Sequence, residues 1–361
     1  MKLRVTSTDQ PSSDRVSVIV PVLNEVGRIE RCLTALTSQP EEVSEILVVD
    51  GGSSDGTQEI IHRFASLDIR VRLIDASPID PRWTGKAWGL NFGLQRTSPA
   101  SQWILTLDAD VEAERLLVRS LIAHANRTGI SAFSLATRQV VADWLDAIIH
   151  PAMLTTLVYR FGAPGGATAN RHRVQANGQC FIAHRTALVQ SQAFQAARAS
   201  LCEDITIARR LAECGESVGF YESDNLVTVR MYKNWRETWN NWPRSLPMRD
   251  QYFGWHEGFG LLKVLLLQAL PLPIVVVSFW LAWPRWLWIT ATVLLAIRVG
   301  ILFGVARAYH ARPATYWLSP LADIPVVLRI IHFALRRRHS WRGRTYLRQR
   351  GGTFEPIART D

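Results

Sequence analysis

No apolar stretch opens this chain. Met1 to Arg15 is polar, so neither a signal peptide nor an N-terminal anchor is expected. Cysteine is scarce, at 4 of 361 residues. Cys32, Cys180, Cys202 and Cys214 form no CxxC pair and have no histidine partner at ligand spacing, which argues against a zinc site; reduced, buried thiols are expected. Internal repeats and low-complexity tracts are also missing. So is a Gly-rich phosphate loop near the first strand, where Pro21-Val22-Leu23-Asn24 stands instead, and a nucleotidyltransferase would need one.

The apolar residues divide the chain. Up to about Gly260 charged residues recur every few positions, as in a soluble domain with its own core. Beyond it, Leu261-Trp283 and Trp286-Tyr309 are each about long enough to cross a bilayer as a helix. Ala314-Leu335 has a similar length but holds Pro320, Asp323, Pro325 and Arg329, and charge in lipid is costly. The net charge of +10 concentrates in a tail with Arg336, Arg337, Arg338, Arg342, Arg344, Arg348 and Arg350. A basic run can bind nucleic acid. Beside membrane segments it instead fits cytoplasmic retention and attraction to anionic headgroups, so no nucleic-acid partner is expected.

The soluble part alternates strand and helix signals. Strands are expected at 16–22, 45–50, 69–74 and 103–108, with helices at 25–38 and 85–95 and another after the Gly51-to-Gly56 turn. Alternating βα units predict a mainly parallel sheet with ligands at the carboxyl ends of its strands, where Asp50 and Asp108 fall. Leu107-Asp108-Ala109-Asp110 closes the fourth strand. Two carboxylates two residues apart share one side of the sheet and repel unless a cation lies beside them. Oxygen ligands favour Mg²⁺ or Mn²⁺, which keeps positions open for phosphate oxygens. Two helical patterns follow. The first, Asp143-Phe161, fits core or a helix at the membrane surface and is read as the latter, and the second, Asn234-Asp250, is read as an interfacial helix carrying Trp235, Trp239 and Trp242 with Arg236, Arg244 and Arg249.

Six motifs in order resemble the family-2 glycosyltransferases, nucleotide-sugar enzymes with a GT-A fold. They are Val18 to Glu25, Val48 to Thr57, Gly85 to Asn91, Asp108-Ala109-Asp110, Asn177-Gly178-Gln179 and Glu203-Asp204, over roughly the first 230 residues. The resemblance implies an α/β, Rossmann-like GT-A domain with a mainly parallel sheet, followed by a C-terminal helical membrane domain. The expected boundaries are 1–15 for a flexible N-terminus, 16–232 for the catalytic domain, 233–260 for an interfacial segment, 261–335 for membrane helices and 336–361 for a basic tail. It implies that Pro21, Asn24, Glu25, Asp50, Gly85, Lys86, Asn91, Asp108, Asp110 and Arg244 bind the nucleotide-sugar donor. Asp110 would hold Mg²⁺ or Mn²⁺ directly, with Asp108 shared between metal and sugar. Asn177, Gly178, Gln179, Trp239 and Trp242 would face the acceptor. Asp204, supported by Glu203, would be the general base of a single inverting displacement.

One departure matters. Processive members carry a Gln/Arg-x-x-Arg-Trp motif before their spans, and Trp239-Asn240-Asn241-Trp242-Pro243-Arg244 is not that motif. Met231-Tyr232, the Trp-rich stretch and Trp341-Arg342-Gly343-Arg344-Thr345-Tyr346 resemble bacterial enzymes that glycosylate isoprenoid lipids. The expected acceptor is a membrane lipid such as a hydroxylated carotenoid, with hopanoid, sterol, ceramide, diacylglycerol or polyprenyl phosphate as alternatives. A non-catalytic scaffold would need the spans but none of the acidic motifs. The expected location is a bacterial inner membrane with the catalytic domain and tail in the cytoplasm, the 314–335 segment dipping in or lying along the interface.

Overall fold

The computed structural model describes residues 4–357 except 282 and 342. Met1 to Leu3 of the polar N-terminus, Ala282 of the first apolar run, Arg342 of the tail and residues 358–361 lie outside the described residues.

Eight strands form the central sheet: β1 Val16–Val22, β2 Val43–Asp50, β3 Val71–Asp75, β4 Trp103–Leu107, β5 Ala132–Ala136, β6 Gly166–Thr168, β7 Cys180–His184 and β8 Val218–Glu222. Their order is β3-β2-β1-β4-β7-β5-β8-β6. The first four run parallel, β7 is antiparallel to both of its neighbours, β5 and β8 are parallel, and β6 closes the edge antiparallel. Alternation along β1 explains the two-sided core. Val18 and Val20 pack towards Leu33 and Leu36 of α1 (Ile29–Thr37), whereas Ile19 on the other face joins Leu90 and Leu94 of α3 (Gly85–Leu94). Helices α2 (Thr57–Leu67) and α4 (Leu117–Thr128) complete the first face. Helix α6 (Glu203–Glu213) joins α3 on the second.

Three later helices are long and apolar enough to cross a membrane: Trp255–Ser278, Arg285–Ala308 and Ala314–Leu335. They differ in how much protein covers them. Half of the third is buried inside the molecule, against 22% and 17% of the first and second. Helix α5 (Asp146–Phe161) explains the difference. Its Ala152 and Met153 pack on Ala322, Val326, Ile330 and Ala334 of the third helix. The surface position expected for 143–161 is therefore corrected: α5 lies between the catalytic domain and the apolar helices, and Trp144 just before it is exposed. The expected helix at 234–250 is also shorter. Asn234 caps α7 (Trp235–Asn241), a 3₁₀ turn follows at Trp242–Arg244, and Pro243 within that turn cannot supply the N–H that a continuing α-helix needs.

Besides a small sheet of Val111–Ala113, Arg138–Gln139 and Val227–Val229, a further small sheet (Arg338–Trp341, Arg344–Arg348, Phe354–Pro356) starts just after the third apolar helix. The sequence reading contains no such sheet.

Close packing of α3 on β1 depends on two glycines. A Cβ at Gly93 would lie 2.7 Å from Ile19 Cγ2 and 3.0 Å from Val49 Cγ2, and one at Gly89 would lie 3.0 Å from Pro21 Cβ. Gly93→Ala is expected to lower the melting temperature, because overpacking costs about 1–3 kcal/mol against roughly 1 kcal/mol gained in helix propensity. An unchanged or higher melting temperature would show that α3 can shift away from the sheet.

Candidate functional site

One cavity of about 530 Å³ opens at the carboxyl ends of β1 and β4. Lys86, in the first turn of α3, reaches across it. Its Nζ lies 2.7 Å from Asp108 Oδ1 and 2.7 Å from Glu203 Oε1, joining the end of β4 to the start of α6. Burial alone would lower the Lys86 pKa, but Asp108, Glu203 and Asp204 together hold the ammonium well above its usual value.

Asp204 is fixed by the backbone. The Gly178 N–H donates to its Oδ2 at 3.0 Å and the Ile205 N–H to its Oδ1 at 2.8 Å. Burial and the neighbouring Glu203 push its carboxyl up to about 6, although Lys86 and the two amides act in the opposite direction. The absence of a side chain at Gly178 makes this cluster possible. A Cβ there would lie 2.9 Å from Lys86 Nζ, 3.2 Å from Asp204 Cβ and 3.3 Å from Glu203 Oε1.

Asp110 is the least satisfied carboxylate. Its Oδ1 is buried with no hydrogen-bond partner, and burial with the adjacent Asp108 pushes its pKa up to about 7. A divalent cation would relieve both. Among the described residues no group of three or more His, Cys, Asp or Glu could hold a metal. That suits an ion held by one or two carboxylates together with phosphate and water, the usual arrangement for Mg²⁺.

Arg244 faces the same cavity. Its Nε and Nη1 are shielded from solvent and meet no acceptor, and burial lowers its pKa to about 10 despite Tyr232 and Glu203.

Several residues expected at the site line this cavity: Pro21, Glu25, Gly85, Lys86, Asp108, Asp110, Gly178, Glu203, Asp204, Trp242 and Arg244. Asn177 and Gln179 also border it, but their side chains hydrogen-bond within the loop. Asn177 Nδ2 donates to Leu135 O at 3.1 Å, and Gln179 Oε1 accepts from Thr137 Oγ1 at 2.5 Å. Four expected residues do not line it. Asp50 is fully buried, and its carboxylate is already taken up by the Ser53 N–H, by Ser53 Oγ at 2.5 Å and by Gln58 Nε2 at 2.5 Å. Asn24 turns back to accept the Ser54 N–H at 2.9 Å. Asn91 lies elsewhere on α3, and Trp239 packs against the third apolar helix with Arg329 5.4 Å from its ring. Tyr346 of the tail lines the same cavity as Gly85 and Lys86 at the start of α3.

The sequence places the tail near the active site and singles out Met231-Tyr232 as a motif, but it assigns no site role to Arg28, Tyr232 or any one tail residue that lines the cavity. Arg28 pairs with Glu25 at 3.2 Å and donates to Met231 O at 3.3 Å, which ties α1 to a segment about 200 residues later. Tyr232 lines the cavity, and burial raises its phenol pKa. Ser340, Trp341, Gly343, Arg344 and Tyr346 of the C-terminal sheet form one of its walls.

Residues 17–194 match the model of Glycosyl transferase family 2. The chain is 34% identical to glycosyltransferase AglE of Haloferax volcanii over 32% of its own length and 36% of that protein's. It is 25% identical to succinoglycan biosynthesis protein ExoA of Rhizobium meliloti, covering 70% of this chain and 71% of ExoA. For 4,4'-diaponeurosporenoate glycosyltransferase of Staphylococcus haemolyticus the identity is 24%, over 62% of this chain and 58% of the relative. The chain thus spans about a third to somewhat over two thirds of these relatives. Among solved structures, mannosyltransferase PcManGT from Pyrobaculum calidifontis, in complex with GDP-Man and Mn²⁺, superposes with a TM-score of 0.55 at 19% identity, covering 91% of this chain and 90% of that one. The fold is GT-A, a mixed and mainly parallel sheet followed by long apolar helices, as expected from the sequence.

Proposed function

We propose that this chain, whose residues 17–194 belong to glycosyl transferase family 2, moves a sugar from a nucleoside-diphosphate donor to a hydroxyl of a membrane lipid. Glycosyl transfer is the activity of that family, and the assignment of the acceptor goes further. The carrying observation is the convergence on one cavity of an unpartnered buried Asp110 oxygen, the Lys86-bridged carboxylates and the unpaired donors of Arg244.

In this reading Asp108 and Asp110 would hold Mg²⁺ or Mn²⁺, as the Mn²⁺ bound to PcManGT supports. Such an ion, when bound, neutralises negative charge on the leaving diphosphate. Arg244 supplies donors to the same phosphates. Asp204 takes the proton from the acceptor hydroxyl as its oxygen bonds to the anomeric carbon and the bond from that carbon to the diphosphate oxygen breaks. No second carboxylate is needed as a nucleophile, so the configuration inverts. Glu203 supports Asp204 by anchoring Lys86 beside it.

A lipid acceptor is supported by the extent of exposed apolar surface on the three apolar helices, including Phe259, Leu266, Val293, Phe303, Leu321 and Leu328. The name of the Staphylococcus haemolyticus relative adds a carotenoid-acid example, which favours an isoprenoid. A second reading, a saccharide acceptor, is favoured by ExoA's role in succinoglycan biosynthesis. Membranes incubated with radiolabelled nucleotide sugars and extracted with organic solvent decide between them. Label in the lipid phase supports the first reading, and label only in oligosaccharide overturns it.

The placement of the tail bears on topology. Ser340, Trp341, Gly343, Arg344 and Tyr346 share one cavity with the catalytic domain, which supports a tail on the same side of a membrane as that domain. Two crossings by Trp255–Ser278 and Arg285–Ala308 satisfy this, with the half-buried third helix along the interface. The side is the cytoplasm of a bacterial cell, by the positive-inside rule.

Asp204→Asn is expected to abolish transfer, to below about a hundredth of wild type, while leaving nucleotide–metal affinity nearly intact. In wild type kcat/KM should rise with pH through about 6, because the base acts only once deprotonated, and a flat profile from pH 5 to 8 would exclude Asp204. Asp110→Ala should weaken Mn²⁺-dependent UDP or GDP binding in calorimetry, and unchanged affinity removes it from the metal site. For topology, Gly351→Cys in a Cys214→Ser background leaves the buried Cys32, Cys180 and Cys202 as the other thiols. It should resist membrane-impermeant thiol reagents in intact cells, whereas rapid labelling from outside would place the tail across the membrane.

A further inference from the structure

The C-terminal sheet does more than cover the cavity. The Arg244 guanidinium carbon sits 3.4 Å from the Trp341 ring centroid, close enough for direct stacking. The stack holds one face of the guanidinium, while Nε and Nη1 remain without acceptors at the cavity. A buried cation with two idle donors is a costly arrangement unless an anion meets it.

The sheet that carries Trp341 is firmly seated. Tyr346 and Phe354 pack on Leu201, two residues before Glu203. The Phe354 N–H donates to Ala199 O at 2.7 Å. Gly352 lies so close to the Asp250 carbonyl that a Cβ would come within 2.2 Å of its oxygen. On the other side, Arg348 Nη1 donates to Ala334 O at 2.5 Å and Nη2 to Leu335 O at 3.1 Å, fastening the sheet to the last turn of the third apolar helix. One small sheet thus touches Arg244, the segment leading to Glu203-Asp204 and the end of the third helix.

We propose that Trp341 is a positioning residue that holds Arg244 against the donor diphosphate, so that the C-terminal sheet is a working wall of the donor site. This rests on the reading of the cavity as a nucleoside-diphosphate site.

The test uses the full chain in detergent and calorimetric titration with UDP and with GDP in the presence of Mn²⁺. Trp341→Leu keeps apolar bulk against Tyr346 and Phe354 but removes the π face, whereas Trp341→Phe keeps a ring. The Leu variant is expected to bind the preferred nucleotide about tenfold more weakly, and the Phe variant to stay within about threefold of wild type. Because Trp341 acts through Arg244, Trp341→Leu should cost nothing further in an Arg244→Gln background. Equal affinities for the Leu and wild-type chains would overturn the proposal. So would losses that add in the double variant, which is what a merely structural role predicts. A wild-type chain that binds neither UDP nor GDP would overturn the donor-site reading itself and this proposal with it. Tight binding by wild type with an indifferent Trp341 overturns only this proposal.

Discussion

Negative charge crowded into one cavity is the constraint on which the rest of the site depends. Glu25, Asp108, Asp110, Glu203 and Asp204 come from three separate segments and meet at the ends of β1 and β4 and the start of α6. Carboxylates that close raise one another's pKa unless cations intervene. Lys86 answers two of them directly, Asp108 and Glu203, and Asp204 by proximity. Arg28 answers Glu25. Asp110 keeps an unpartnered oxygen, and that residue of charge gives the cavity a use for a divalent cation. The arrangement is local enough that a methyl group at Gly178 would press on three of its members at once.

The fold, and the convergence of most of the expected residues on one cavity, were legible because both follow from short-range rules. β-branched runs gave the parallel strands, and the two-residue repeat put Asp108 and Asp110 on one side of a strand end. What failed also has a short-range cause. Asp50 sits at a strand end like Asp108, but Ser53 and Gln58 downstream take up its oxygens, and an Asp followed three residues later by Ser is a turn signal that the sequence does contain. Trp239 and Trp242 look equivalent on a helical wheel, yet Pro243 ends the helix between the two roles. The contact from Arg28 to Met231 had no signal in one sequence, because it joins segments about 200 residues apart, whereas the arginine run and the positive-inside rule did point the tail back towards the active site.

Charge in the apolar helices shows the same limit. Asp323 in the sequence argues against a span, since an isolated carboxylate in lipid is costly. The structure supplies its partner from the second helix. Arg298 Nε lies 2.8 Å from Asp323 Oδ2, its Nη2 reaches Ser319 Oγ at 2.8 Å, and Gln268 of the first helix donates to Asp323 Oδ1 at 2.7 Å. Gln268 also donates to Ala152 O of α5 at 2.8 Å. All three apolar helices and α5 are therefore fastened through one polar cluster. Removing one member would strand a buried charge, so the cluster favours a single arrangement of these helices over sliding ones.

That arrangement links topology to chemistry. The apolar helices begin at Trp255, beside the catalytic domain, and the chain is back at the cavity by Arg338. On the proposed topology both points lie on one side of a membrane, and three helices between them cannot all cross it. The turn between the first two carries exposed Trp280, Trp283 and Trp286, residues that prefer headgroup regions, which matches a hairpin whose tip reaches the far interface. The third helix is the one already half buried inside the molecule, against α5 and the other two apolar helices. Lying at the near interface, it would expose Ile324 and Leu328 to lipid while its end feeds the sheet that walls the cavity. A hydrophobic acceptor could then keep its chain in the bilayer and present only its hydroxyl to Asp204. On the proposed topology, the helix that does not cross, because the tail must return, is the one whose end is fastened to the sheet that walls the cavity.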